Sequence, residues 1–516
     1  MPNTFAFLVL FSWPAVAWIL FRTLPLSKAL VWTMLGGHLI LPSATSVKIP
    51  MMPLIDKGLV PTVSAAILCL IYESRSPRLA RPVPSAKGRT LVIGLLALII
   101  LAPLLSILNN PEPIVTGPFF LPGLQLYDAF SMISASIVAI SPFLLAWRYL
   151  GTHEAHRDLL VAFAVGGLVY SLPALFEVRV SPQLHNWIYG FFPHDFIQHI
   201  REGGFRPVVF LSHGLMVGIL LCMAILAALT LWREALRERR AEGQWVFAID
   251  RLAGPLRSRW LFVAIWLAIV LVLSKNLGAV AIAAFLGIVI FARPRLQSAI
   301  VAFIAVVVLF YPMFRGAGLI PVREIYEITR SISEDRAQSF KFRLDNEDAL
   351  LARANEKPIS GWGSWGRNQL YDPETGQMIS VTDGMWVILI GIYGWPGYVA
   401  QFGLLTMPLL LYARRRSAFG PSLITPGLVI VLSAVLIDLL PNAGLVPYVW
   451  MLAGALTGFV LKQKAEDAYV MEKSTSAPAD VSALGRARGR EGVAASEIPR
   501  LQRTSLPGVD RRHAAK

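Results

Sequence analysis

Along most of the chain apolar residues run in unbroken stretches of roughly 17 to 25, each long enough to cross a hydrocarbon core of about 30 Å. Apolar and polar positions do not alternate within them, which excludes a β-barrel. The stretches predict spans at about 4–21, 25–42, 58–73, 90–108, 128–147, 158–176, 208–231, 260–274, 277–292, 298–313, 384–411, 426–440 and 444–461, about 12–13 transmembrane helices in all. The expected fold is therefore all-α, a polytopic helical membrane protein.

The polar segments between spans predict sidedness. Lys and Arg gather in ESRSPRLARPVPSAKGR, in WRYLGTHEAHR, in the region from REALRERR to GPLRSR, in ARPR and in ARRRS, while NNPEPIVTGPFFLPGLQ has neither. The positive-inside tendency places the basic set in the cytoplasm, the N-terminus outside and the C-terminus inside. No basic segment precedes the first span, which argues against a cleavable signal peptide.

Composition sharpens this picture. The 516 residues are 55% hydrophobic and 15% charged, with mean hydropathy +0.59. The net charge of +15 would suit nucleic acid in a soluble protein. Here the cations sit beside span ends and in the tail, so topology and anionic membrane lipids account for them, and no nucleic-acid partner is expected. Cys69 and Cys222 lie inside apolar runs, as core packers rather than a disulfide or metal site. Four regions follow: N-terminal spans at 1–313, a large polar loop at 314–383, C-terminal spans at 384–463, and a tail at 464–516. The tail lacks apolar periodicity and reads as disordered.

The loop concentrates the chemistry. Arg336, Arg343 and Glu347 are spaced seven and four apart and share one helical face within about 20°; Arg353 and Lys357 form a further i,i+4 pair. A solvated amphipathic helix is one reading, a basic binding face the other. GWGSWGRN follows Pro358. Its glycines allow close backbone approach, Trp362 and Trp365 offer faces for a sugar ring or an isoprenoid phosphate, and Arg367 and Asn368 supply donors. Asp383 opens the next span, where it is either a helix cap or a base beside a basic loop. Lys275, between two apolar spans, and Arg206, entering the seventh span, either snorkel to the surface or bind phosphate. His213 reads as a hydrogen-bonded core residue, and Asp128 and Asp438 as further caps. No P-loop, HExxH or nucleotide-sugar DxD pair in a soluble domain is present, and no metal or cofactor is expected.

Many spans, one large outer loop with arginines leading into P-I-x-G-W-G, and a polar residue opening a helix with G-x-x-G together resemble the O-antigen ligase and polysaccharide polymerase family. The ligase signature ends in two glycines matched by Gly394 and Gly397, so Asp383 stands where the family's histidine would be and Gly384 where its amide or serine would be. Lys275 stands where many members carry arginine. The run from 343 to 397 carries the resemblance, and its NED…RA…PISGWGSWGRN…TDG pattern looks like the polymerase-like subgroup of bacterial exopolysaccharide systems. The resemblance implies a GT-C-like fold with the large loop in the periplasm of an inner-membrane protein. It implies an undecaprenyl-diphosphate-linked glycan donor, a growing polysaccharide or a lipid or protein as acceptor, and no cofactor. Asp383, Arg343 and Arg353 become the implied catalytic residues, and Lys275, Arg206, Arg336, Trp362, Trp365, Arg367 and Asn368 the implied substrate-binding set. Ligation of a finished chain to its acceptor, transport of a polysaccharide or lipid-linked sugar, and a non-catalytic scaffold are the competing functions.

The charge pattern makes a direct prediction. A topology reporter fused after Gln369 reads as periplasmic and one fused after Arg415 as cytoplasmic; the opposite pair of readings overturns the span assignment.

Overall fold

The computed structural model describes residues 1–50, 52–75, 86–201, 203–241, 259–332, 334–416 and 420–476. Among them, each predicted span is a helix. In order these are α1 (Thr4–Thr23), α2 (Leu26–Ile40), α3 (Leu59–Arg75), α4 (Ala86–Leu108), α5 (Leu126–Tyr149), α6 (His153–Val180), a short α7 (Leu184–Tyr189) and α8 (Gly214–Ala241). They continue with α9 (Arg259–Leu273), α10 (Leu277–Phe291), α11 (Pro294–Gly316), α12 (Val322–Ile332), α13 (Glu334–Asn355), α14 (Met385–Arg415), α15 (Ile424–Asp438) and α16 (Pro447–Ser476). Two small antiparallel hairpins interrupt the helices: β1 (Ile114–Thr116) with β2 (Phe119–Leu121), and β3 (Ile200–Arg201) with β4 (Gly204–Phe205).

Seven of these helices are long and apolar enough to cross a membrane, namely α1, α4, α5, α6, α8, α11 and α14, and α3, α9, α10 and α15 are shorter apolar helices. The protein is thus a helical membrane protein by the length and composition of its helices. Large apolar side chains point outward on the rim, among them Leu8, Ile288 and Phe303, as a lipid-facing surface requires. Helix α8 is the axis: 83% of its apolar window is buried, against 22% for α1, and it packs against α6, α9, α10 and α15. Cys69 and Cys222 are free thiols in this core.

Residues Met1–Asp467 form one compact unit, and a second begins at Ala468. Helix α16 continues to Ser476, so the tail expected to be disordered from 464 begins as helix; the rest of it lies outside the described residues, as do most of the two basic segments near 76–85 and 242–258. One span starts later than predicted. Residues 208–210 precede α8 in a non-helical turn because Glu177 accepts hydrogen bonds from Val208 and Val209, both at 2.7 Å, and Val209 has φ +55°. Three hydrogen bonds to one carboxylate, two buried and the third from Leu184 at 2.9 Å part-buried, outweigh the helical preference of the apolar run.

The region predicted as the large loop is mostly helical. It begins at the end of α11, continues through α12 and α13, and returns through residues 356–384 to α14. Helix α14 is broken at Gly394 (φ 70°, ψ −178°), just before Pro396. The break frees carbonyls that an apolar environment leaves costly if unpaired. Residues 358–363 supply the partners: Trp362 donates to Gly391 O at 2.7 Å, Gly363 to Ile392 O at 3.0 Å, and Trp395 donates back to Pro358 O at 2.8 Å. From α4, the Ser106 hydroxyl donates to the Ser360 carbonyl, and Asn110, just past the helix end, donates to Gly361 O at 3.0 Å. The two glycine motifs are therefore halves of one device. A Cβ on Gly361 would meet Ile392 at 2.5 Å, and one on Gly394 would meet Ile359 O at 2.5 Å. This backbone-to-backbone contact, with φ +63° at Gly361, requires glycine on both sides.

Gly361→Ala is expected to cost more than about 1 kcal/mol, because alanine can neither adopt the positive φ without strain nor fit the contact. Thermal unfolding of the detergent-purified protein checks this; an unchanged midpoint contradicts the role assigned to the contact.

Candidate functional site

The site is built where α13 lies across the end of α14. Arg315, in the last turn of α11, is buried and donates to Leu344 O at 3.2 Å and to Asp348 at 2.8 Å, pinning α13 to α11. That fixes the face of α13 carrying Arg343 and Glu347, which the i,i+4 spacing places together. Arg343 Nε lies 3.3 Å from Asp383 Oδ2. Asp383 is not the cap of α14. The N-cap is Gly384, with no side-chain cap, and the Met385 N–H is satisfied by Leu439 O at 3.1 Å and Asn442 O at 3.3 Å. Gly384 also leaves no room for a side chain, since a Cβ there would meet Leu440 O at 2.6 Å. Of the two readings of Asp383, the structure removes helix capping.

Glu347 completes the acidic side. It is buried at 6% exposure, beside Tyr311 and Arg315 of α11. Loss of solvent pushes its carboxyl up to about 7, aided by Asp348 and Asp383 and opposed by Arg315 and Arg343. One of its oxygens, Oε2, is buried without a hydrogen-bond partner, as is Nε of Arg315.

A second basic element faces Arg343. Arg206 follows β4, and its backbone donates to His199 O at 2.8 Å. His194, His199 and His213 form a cluster with ring centroids 4.7 to 5.7 Å apart. His199 Nδ1 donates to Asp195 O at 3.0 Å, and its Nε2 accepts from the Gly214 N–H at 3.3 Å. His213 Nδ1 accepts from the Leu215 N–H at 3.0 Å, which leaves the proton of the neutral ring on Nε2. Burial, then His199, His194, Arg206 and Arg343, push the His213 imidazole down to about 3. His213 is thus a neutral donor within electrostatic reach of both Arg206 and Arg343, which are far apart in sequence. Among the described residues no group of three or more His, Cys, Asp or Glu is arranged to hold a metal ion.

The remaining predicted residues stand elsewhere. Arg353 stacks on Trp362, 3.3 Å from the ring centroid, with Lys357 at 4.6 Å from the same ring. Arg353 also pairs with Glu356 at 2.8 Å, and Trp362 Nε1 donates to Arg353 O at 2.7 Å. The arginine and the tryptophan therefore hold the C-terminal end of α13 rather than joining Arg343 at Asp383. Arg367 is buried and donates to Trp362 O, Pro122 O and Glu112 O at 3.2, 2.7 and 2.8 Å. This ties the β1–β2 segment to the loop. Asn368 is buried against Gly391. Trp365 is half-exposed with φ +60° and lines a cavity of about 660 Å³ with Lys48, Ser131, Tyr393 and Trp450. Lys275, at φ +58°, lines a different cavity of about 700 Å³ with Arg179, Gly204 and Phe205. Arg336 lies on α13, but its side chain is outside the described residues.

The expected cap at Asp128 is present, its carboxylate accepting from the Gln125 N–H at 2.8 Å. Asp438 instead holds the turn after α15, accepting from Asn442 at 2.8 Å. Arg315 and the histidine cluster were not among the residues expected to form a site. Arg315 reads in sequence as the end of an apolar span, and the histidines follow no helical or strand period. No protein-family model matches the chain, and no curated protein matches it.

Proposed function

We propose that the protein is a glycosyltransferase that moves or polymerises glycan from an undecaprenyl-diphosphate-linked donor at the periplasmic face of the bacterial inner membrane, with a GT-C-like arrangement in which helices α12 and α13 belong to a periplasmic loop. The observation that carries this reading is the release of Asp383 from capping. An acid at the end of an apolar helix, paired with an arginine from the polar region, has no part in holding the helix start. It stands where a lipid-borne diphosphate and a water-borne hydroxyl meet.

The chemistry assigned to these groups is economical. The donor already carries a good leaving group, so the protein positions the reactants and stabilises charge. The fork of Arg343 suits phosphate oxygens, and Arg206 adds a second cation from the neighbouring loop. The acceptor hydroxyl loses its proton to Asp383. Its oxygen forms the bond to the anomeric carbon as the bond from that carbon to the diphosphate breaks, and the diphosphate leaves with the electron pair. The His213 Nε2–H is a neutral donor to oxygens held between the two arginines. Buried Arg367 and the Arg353–Trp362 stack support this reading by keeping the region around α13 in place. Ligation of a finished chain uses the same chemistry with a different acceptor.

Arg343→Ala is expected to lower surface-glycan output roughly 30- to 1,000-fold, equivalent to about 2–4 kcal/mol, and Arg343→Lys to be impaired because a point charge does not replace a fork. Asp383→Asn and Asp383→Ser, accumulating at parental levels in the membrane, are expected to make no polymer. Near-parental glycan from Arg343→Ala and from Asp383→Asn removes both from the site and the reading with them.

A further inference from the structure

A buried carboxylate oxygen without a partner is costly and calls for a reason. Glu347 Oε2 is such an atom, inside the cluster that holds Arg343 and Asp383. We propose that Glu347 is the proton store of this site, taking from Asp383 the proton that Asp383 receives from the acceptor hydroxyl. This rests on the transfer reading above and adds to it a second acid with a separate task.

The geometry separates the two carboxyls. Asp383 is partly exposed and ion-paired with Arg343 at 3.3 Å. Glu347 is enclosed, one turn along α13 from Arg343. It is faced by Tyr311 and Arg315 from α11, by Asp348 and Arg343 from its own helix, and by Asp383 from the segment before α14. Paired carboxyls in unlike surroundings divide into a group that meets the reactant and a group that holds the proton. The balance is complete without another reactant. The hydroxyl proton moves to Asp383, the oxygen bonds to the anomeric carbon, the electron pair leaves on the diphosphate, and the proton passes from Asp383 to ionised Glu347 and then to water.

The sign of the pH dependence follows. With its carboxyl raised to about 7, Glu347 is protonated below neutrality and cannot accept, so transfer falls as pH drops through about 7. The same shift means that the folded state holds this proton more tightly than the unfolded chain does. Stability therefore falls as pH rises from the ordinary glutamate range through about 7. Glu347→Gln removes a buried charge and is expected to raise the thermal midpoint relative to the parent above neutrality, with the gap closing in acid.

Two measurements on the full-length chain decide the proposal. In infrared difference spectra of the protein in lipid vesicles, titrated between about pH 5 and about pH 9, a protonated-carboxyl band is expected to disappear near neutrality. That band is absent in Glu347→Gln, retained in Asp383→Asn, and retained in Glu347→Asp. In membrane vesicles that carry the cell's own lipid-linked glycan, Glu347→Gln is expected to slow its consumption about tenfold to hundredfold at neutral pH and to lose the acid limb of the pH profile. If no band is lost in Glu347→Gln, or if that variant keeps the acid limb, the proton-store role is overturned while the transfer reading stands. If Asp383→Asn consumes the lipid-linked glycan at the parental rate, the transfer reading is overturned and the role goes with it.

Discussion

Backbone polar groups in an apolar helix must be paired, and at Gly394 the chain breaks that rule inside α14. The rest of the polar region is arranged to repair the break. Residues 358–363 dock onto the freed carbonyls, and Ser106 and Asn110 of the α4 region hold those residues in turn. Arg353 and Trp362 then fix the end of α13 above the docked segment. Midway along the same helix, Arg315 ties it to α11. A helix held at its middle and at its C-terminal end has little freedom to rotate, and this sets Arg343 against Asp383.

The charges in this region divide by burial. Arg367 and Arg315 are enclosed and spend their donors on carbonyls and a carboxylate, so they act as staples. Arg343 and Asp383 form a partly exposed pair at the end of a long apolar helix, in a setting where a charged ligand exchanges for a partner at low desolvation cost. Glu347 is enclosed with one oxygen unpartnered, beside the unpartnered Nε of Arg315. Unpartnered charged atoms gathered at one point, Glu347 Oε2 and Arg315 Nε, are the pattern expected where a protein keeps its chemistry.

Much of the fold was legible in the sequence because the dominant constraint, continuous apolar length, is local. Each predicted span is a helix, most with ends a few residues from those expected. The exceptions came from groups distant in sequence: Glu177 fixes the turn at 208–210 and so delays α8. The site was partly legible. The spacing of Arg343 and Glu347 gave their common face, and the position of Asp383 gave its place at a helix start. Three things required the fold. Gly361 reads as room for a ligand and Gly394 as part of a signature, but the two serve each other. Trp362 reads as a binding face but is covered by Arg353 and Lys357. The meeting of Arg206, His213 and Arg343 joins segments more than a hundred residues apart, which no period can signal.

The central claim is that this assembly transfers glycan from a lipid diphosphate. Deleting the protein, sizing the cell-surface glycan and extracting the lipid-linked pool tests it most directly. The account predicts that long surface glycan disappears while glycan linked to lipid diphosphate accumulates, as short units if the protein polymerises and as finished chains if it ligates. Surface glycan of parental length, with a lipid-linked pool at the parental level, would contradict it.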